Sequence, residues 1–216
     1  MKLLAHISDD KTRTQTIEEH LTSTAALAGN FAAAFGAQAE AAYTALLHDI
    51  GKYSAGFQQR LQGGPPVDHS TAGAQAAIQD GNIPAALAIA GHHSGIPDLG
   101  NPHDTADEST LVGRSKRRIE DCSQWKQEIS PAKAALPPWL LRQPDNLTMA
   151  FFTRMLYSSL VDADFIDTET FMDGKAAPRG MGEPLPALLE KVRAQAKRYL
   201  DSPAASPVAQ ERNKVL

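Results

Sequence analysis

The sequence predicts an all-α fold. Three observations carry that expectation. Apolar residues recur at helical rather than alternating spacing, capping residues stand ahead of them, and glycine- or proline-rich stretches separate the runs. Thr16-Ile17-Glu18-Glu19 forms a capping box, after which Leu21, Ala25, Ala28, Phe31, Ala32 and Phe35 share one face until Gly36. A second helix runs through Ala41, Ala42, Ala45, Leu46 and Asp49, with Gly51 suited to its C-terminal end. Gly63-Gly64-Pro65-Pro66 is a loop that sets His69 just ahead of a helix capped by Ser70 and closed by Gly81. Pro84 opens an alanine-rich helix that ends at His92-His93.

Residues 104–130 are less regular, yet Leu111, Ile119, Cys122, Trp125 and Ile129 allow one or two amphipathic helices. Pro137-Pro138 and Pro144 mark a break. The clearest helix follows, with Phe151, Phe152, Met155, Leu156, Ser159, Leu160 and Ala163 on one face. A loop over residues 174–186 leads to a last helix through Leu188, Leu189, Val192, Ala196 and Tyr199. Leu3-Leu4-Ala5-His6-Ile7 is compatible with a short strand. Residues 1–200 are expected to form one domain, and residues 201–216 a linker.

Composition narrows the function classes. With 216 residues, 42% of them hydrophobic, the chain can bury one sizeable core. No apolar run reaches the length of a membrane span, and the N-terminus lacks the pattern of a signal peptide. The single cysteine, Cys122, excludes an internal disulfide and reads as a packed small hydrophobe. A cytoplasmic protein is the expectation. The net charge of −4 argues against tight, unaided binding of nucleic acid. Arg114-Ser115-Lys116-Arg117-Arg118 and the set Lys191, Arg193, Lys197 and Arg198 read as solvated helix faces, and Trp125 and Trp139 as packing residues.

The chemistry concentrates in His48-Asp49, at the end of an apolar run and followed by Lys52. A carboxylate can bridge two cations while the adjacent imidazole binds one of them, so the pair suits a dinuclear centre. Five of the seven histidines fall in short, distinctive contexts: Glu18-Glu19-His20, His48-Asp49, Asp68-His69-Ser70 and Gly91-His92-His93-Ser94-Gly95. Leu160-Val161-Asp162-Ala163-Asp164-Phe165 adds a late acidic segment.

In this order the motifs resemble the HD metallohydrolase superfamily and, more narrowly, the HD nuclease domain of the CRISPR-associated type I nuclease-helicase. The narrower marks are Asp-His-Ser, Gly-His-His-Ser-Gly, and Asp-Ala-Asp-Phe followed by Asp167-Thr168-Glu169. The resemblance covers residues 5–169 and implies a helical HD-domain bundle with a metal site at its centre. One implied site uses His20, His48, Asp49 and Asp164, and the other Asp49, His69, His92 and His93, so that Asp49 bridges. Asp162 is the fallback for the distal acid, because the two aspartates stand about 200° apart around a helix and only one can face the metals.

So many imidazoles disfavour magnesium and favour manganese, iron, cobalt or nickel. A pair of such cations clamps a phosphodiester and activates water, with Asp49 at the reacting centre. Lys52, three residues on, is expected to stabilise charge on the phosphoryl oxygens. The resemblance implies single-stranded DNA as substrate, a helicase module in the same or a companion chain that threads the strand, an RNA-guided surveillance complex as partner, and no membrane. The sequence lacks the phosphate-binding glycine loop of a helicase, so the chain reads as a stand-alone nuclease subunit or a fragment of a longer protein, the fragment being the expectation. Two alternatives stand beside the nuclease. One is an HD phosphohydrolase of nucleotides or cyclic nucleotides, which needs a closed base pocket; the other is a non-catalytic metal-binding partner module.

Overall fold

The computed structural model describes residues 2–142, 145–177, 179, 182–200 and 206–213. Pro144 lies outside them, as do residues 201–205 and 214–216 of the expected linker and residues 178, 180 and 181 of the preceding loop. The chain separates into a unit over residues 1–176 and a smaller one over residues 177–216. The smaller unit holds helices Leu185–Leu200 and Pro207–Asn213.

The first unit is helical, with one small sheet. Strand β1 (Leu4–Ile7) pairs antiparallel with β2 (Thr14–Thr16), placing His6 opposite Gln15 with an irregularity between Leu4 and His6. The first strand matches the Leu3–Ile7 reading; the second was not expected. It is only three residues long and runs straight into the capping box, whose signal dominates those residues. That box is present: Thr16 Oγ1 accepts the Glu19 N–H, and the Glu19 carboxylate accepts the Thr16 N–H. It starts helix α1 (Ile17–Ala32), which tightens into a 3-10 turn (Ala33–Phe35) and stops at Gly36 with φ of 71°. Phe31, expected on the apolar face, is 39% exposed.

Helix α2 (Gln38–Leu47) ends before the histidine–aspartate pair rather than running through it. His48 caps it, Asp49 leaves helical geometry, and Ile50–Tyr53 form a separate 3-10 turn. Gly51 therefore does not terminate the helix. Its missing side chain serves packing instead, since a Cβ there would strike the His69 backbone. Helix α3 (Ala55–Arg60) follows, and then α4 (Ser70–Gln79). The N-cap of α4 is His69, and the carboxylate of Asp68 just ahead of it accepts from Thr71 N at 3.1 Å and Thr71 Oγ1 at 2.7 Å; Ser70 does not cap the helix. Gly81, with φ of 78°, closes that helix as expected. Asn82 caps α5 (Ile83–Gly91), with Pro84 in its first turn.

Residues 104–130 yield only two short helices, α6 (Leu111–Ser115) and α7 (Trp125–Glu128). Helix α8 (Pro138–Arg142) precedes the long α9 (Asn146–Asp173). Of the face expected on α9, Phe152, Leu156, Ser159, Leu160 and Ala163 are buried, whereas Phe151 is 62% exposed. Among the described residues, no helix is long and apolar enough to cross a membrane.

The core is unusually rich in alanine. Ala28 and Ala32 of α1, Ala41 and Ala45 of α2, Ala74 and Ala77 of α4, and Ala85, Ala86, Ala88 and Ala90 of α5 are all buried. Small side chains bring helix axes to the short end of the usual 8–10 Å separation. Gly73 is the closest approach, because a Cβ there would strike the Leu47 carbonyl oxygen and lie 3.0 Å from Ile89. Gly73→Ala gains about 1 kcal/mol of helix propensity, but overpacking costs about 1–3 kcal/mol and the collision is with backbone. The clash should win, lowering the melting temperature by about 2–4 °C per kcal/mol lost. A thermal melt followed by circular dichroism measures this, and an unchanged or raised midpoint would contradict the packing described.

Candidate metal centre

Five elements deliver side chains to one buried point. His20 comes from the first turn of α1, His48 and Asp49 from the end of α2, His69 from the start of α4, His92 and His93 from the end of α5, and Asp164 from α9. Asp49 lies at the middle of the set and is 1% exposed. Its Oδ2 is 3.3 Å from His20 Nε2 and 3.3 Å from His48 Nε2. Its Oδ1 is 3.4 Å from His69 Nε2 and 3.4 Å from His92 Nε2. The two carboxylate oxygens thus face two separate pairs of histidines.

Asp164 completes the first side, with Oδ1 3.4 Å from His20 Nε2 and 3.7 Å from His48 Nε2. Asp162, two residues earlier, points to solvent. His93 completes the second side, its Nε2 2.8 Å from that of His69. Two ring nitrogens that close share either a proton or a cation. In each group, Asp49-His69-His92-His93 and His20-His48-Asp49-Asp164, the candidate ligand atoms lie within 4.8 Å of one another. The structure therefore brings together all seven candidate ligands.

The imidazole tautomers follow from the outer hydrogen bonds. His48 Nδ1 donates to Ala45 O and His92 Nδ1 to Ile89 O, each at 2.7 Å, and His69 Nδ1 donates to Val67 O at 3.2 Å. Carbonyl oxygens only accept, so each Nδ1 carries a proton and each Nε2 faces inward. His20 Nδ1 donates to Asp167 Oδ2 at 2.7 Å with the same result. Four buried inward atoms, Nε2 of His20, His48 and His92 and Oδ1 of Asp49, have no hydrogen-bond partner. Each would cost about 1–3 kcal/mol if left so. Borderline nitrogen donors around a shared carboxylate match the preferences of divalent cations, so the residues present fit such ions.

Electrostatics agree. Burial opposes charge on both Asp49 and Asp164, yet the surrounding cationic and imidazole groups outweigh it and hold both carboxylates well below the usual range. Burial likewise opposes protonation of His48, but Asp49 and Asp164 overcome it and raise its pKa to about 10. A cation must displace that proton to use His48 Nε2. Helices α2 and α5 also both end at the cluster, and helix C-termini favour positive charge.

Sequence reasoning missed three supporting residues. Lys52 Nζ lies 2.6 Å from Asp49 Oδ2 and 3.0 Å from His6 Nε2. His6 Nδ1 donates to Gln15 Oε1 at 2.8 Å, and Gln15 Nε2 donates to Asp167 Oδ2 at 2.8 Å. His6, Gln15 and Asp167 thus form a rail from Lys52 to His20. Burial, reinforced by the Lys52 charge, lowers the His6 pKa to about 4 and keeps that ring neutral. Asp167 could have been suspected from its place one turn after Asp164, whereas the pairing of His6 with Gln15 depends on a strand that the sequence does not announce. Lys52 reaches Asp49 from the 3-10 turn, not from a continued helix.

Titration calorimetry with manganese should release protons on binding, because His48 loses its proton, and affinity should fall as the pH is lowered. Asp167→Ala should weaken binding about 10- to 100-fold by freeing the His20 ring. Affinity unchanged in that variant would contradict the role given to Asp167.

Comparison with protein families matches an HD domain over residues 17–124, half of the chain. The match takes in His20, His48, Asp49, His69, His92 and His93, and stops before Asp164 and Asp167. No curated protein matches significantly. A matched HD domain and a buried histidine–aspartate cluster suited to metal together support a metal-dependent hydrolase, and the chain belongs to the HD-domain family.

Proposed function

We propose that this chain is a nuclease that uses two divalent transition-metal ions, manganese, iron, cobalt or nickel, to hydrolyse phosphodiester bonds of single-stranded DNA in CRISPR antiviral defence. In this reading a helicase module feeds the strand and an RNA-guided surveillance complex recruits the pair. The observation that carries the two-ion part is the division of Asp49, one oxygen towards His20 and His48 and the other towards His69 and His92. The narrower assignment rests on the likeness of Asp68-His69-Ser70, Gly91-His92-His93-Ser94-Gly95 and Asp162-Ala163-Asp164-Phe165 to the nuclease-helicase pattern.

When bound, such ions polarise the phosphodiester and acidify water. The remaining tasks belong to the chain. Asp49 and Asp164 supply two negative charges that offset repulsion between cations. The outer hydrogen bonds of the four buried histidines fix each ring, so little reorganisation accompanies the reaction. Lys52 Nζ donates to Asp49 Oδ2 and His6 Nε2, leaving one of its three N–H groups for a phosphoryl oxygen. Lys52 and the exposed His93 both line an open cavity beside the cluster, which gives a strand access to that N–H.

Incubation of the purified chain with circular single-stranded DNA and manganese or nickel tests the reading. Nicked and shortened products are expected, with loss of at least about 10³-fold in rate for Asp49→Ala, a barrier increase of ~4 kcal/mol. Circles that stay intact in every metal, beside turnover of mononucleotides or cyclic nucleotides, would overturn the nuclease in favour of a nucleotide hydrolase.

A further inference from the structure

The basic segment at residues 114–118 reads from sequence as a solvated helix face, but the structure divides it. Lys116 turns away to the Pro102 and Asp104 carbonyl oxygens. Arg114 and Arg117 turn towards the centre and line a cavity of about 560 Å³ together with His69, His93 and Lys52. Arg60, at the end of α3, lines the same cavity. Four cations therefore surround it against one carboxylate, Asp68, on a chain whose net charge is −4. The adjoining cavity, of about 470 Å³, sets Arg117 and Arg118 against Asp68, Asp107 and Glu120 and carries no positive excess.

The cations around the first cavity are not all consumed by the fold. Arg117 is largely spent, donating to Ala106 O, Asp68 Oδ2 and Glu108 O. Arg114 is held in place by Ser70 Oγ at 3.1 Å and Thr71 Oγ1 at 3.2 Å, one and two residues from His69. Its Nε is buried without a partner, and Asp68 stays 3.8 Å away. The Arg60 side chain is exposed and has no hydrogen-bond or ion-pair partner among the described residues. One guanidinium is thus anchored beside the cluster and a second stands free at the cavity wall.

We propose that this cavity is the strand-binding groove of the enzyme, in which Arg114 and Arg60 hold phosphates of single-stranded DNA flanking the one presented to His69 and His93. The proposal rests on the nuclease reading and adds to it the residues that seat the strand. Guanidinium groups suit this task because their planar donors match phosphate oxygens pairwise. A local positive excess on an acidic chain also confines the strand to the face where the centre opens.

Fluorescence anisotropy of a labelled oligothymidylate, titrated in EDTA to suspend hydrolysis and repeated over a series of potassium chloride concentrations, tests it. Arg60→Gln should weaken binding several-fold and flatten the plot of log affinity against log salt by about 0.7, the value for one lost single-strand phosphate contact. Arg60→Glu should weaken it further. Arg114→Lys keeps the charge but not the paired donors and should fall between wild type and Arg114→Gln. Arg60 is exposed, so its variants should fold and keep the metal content of the parent, whereas Lys126→Gln, away from the groove, should bind as wild type. Unchanged affinity and salt slope in both Arg60 variants, while circular DNA is still cut, would overturn the groove and leave the nuclease reading standing. A parent chain that neither binds nor cuts single-stranded DNA would overturn both.

Discussion

The structure depends on one buried carboxylate. Asp49 sits where α2 has just ended, and its two oxygens face opposite ways, each towards its own pair of imidazole nitrogens. A buried carboxylate without partners is expensive, and among the imidazoles around it His48 holds a proton that a cation must displace. Lys52 provides one neighbouring charge, at 2.6 Å, and positive ions between the carboxylate and the histidines would provide the rest. The same requirement explains why two helices finish at the cluster. His48 and His92 repeat one device, each capping its helix and donating Nδ1–H to the carbonyl three residues back. That bond satisfies a helix-terminal carbonyl and aims Nε2 at Asp49 in a single stroke.

Convergence of five elements requires close packing, which the small residues of the core supply. Gly73 lets α4 lie against the last carbonyl of α2, and Gly51 lets the turn after Asp49 touch the His69 backbone. These contacts fix the distance between the His48-Asp49 pair and His69 through backbone, which is stiffer than any side-chain contact. The groove extends this arrangement outward, because Arg114 is tied to Ser70 and Thr71, whose helix begins beside His69.

Much of this was legible in the sequence where local signals act alone. The capping box at Thr16, the stop at Gly36, the proline opening α5 and the grouping of histidines with acids could all be read from neighbours within a turn. Helical geometry allows only one of Asp162 and Asp164 to face the metals, and the family resemblance favours Asp164. What escaped depends on contacts between distant segments. A helix carried through Asp49 is the natural reading of Ala45-Leu46-Leu47, but the non-helical geometry of Asp49 ends it. The capping of α4 passes from Ser70 to the carboxylate of Asp68, which reaches Thr71 and also pairs with Arg117. His6 and Gln15 stand 9 residues apart and Gln15 and Asp167 stand 152 apart, and only the hairpin and α9 together make them neighbours. The basic segment misled for the same reason, since its charges divide between two directions that composition does not distinguish.

The central claim is that Asp49 divides one site into two. Anomalous diffraction from crystals grown with manganese, recorded on both sides of its absorption edge, addresses that claim directly. Two peaks are expected, one between Asp49 Oδ2, His20, His48 and Asp164 and the other between Asp49 Oδ1, His69, His92 and His93. A lone peak out of reach of Asp49, or none at saturating metal, would contradict the account.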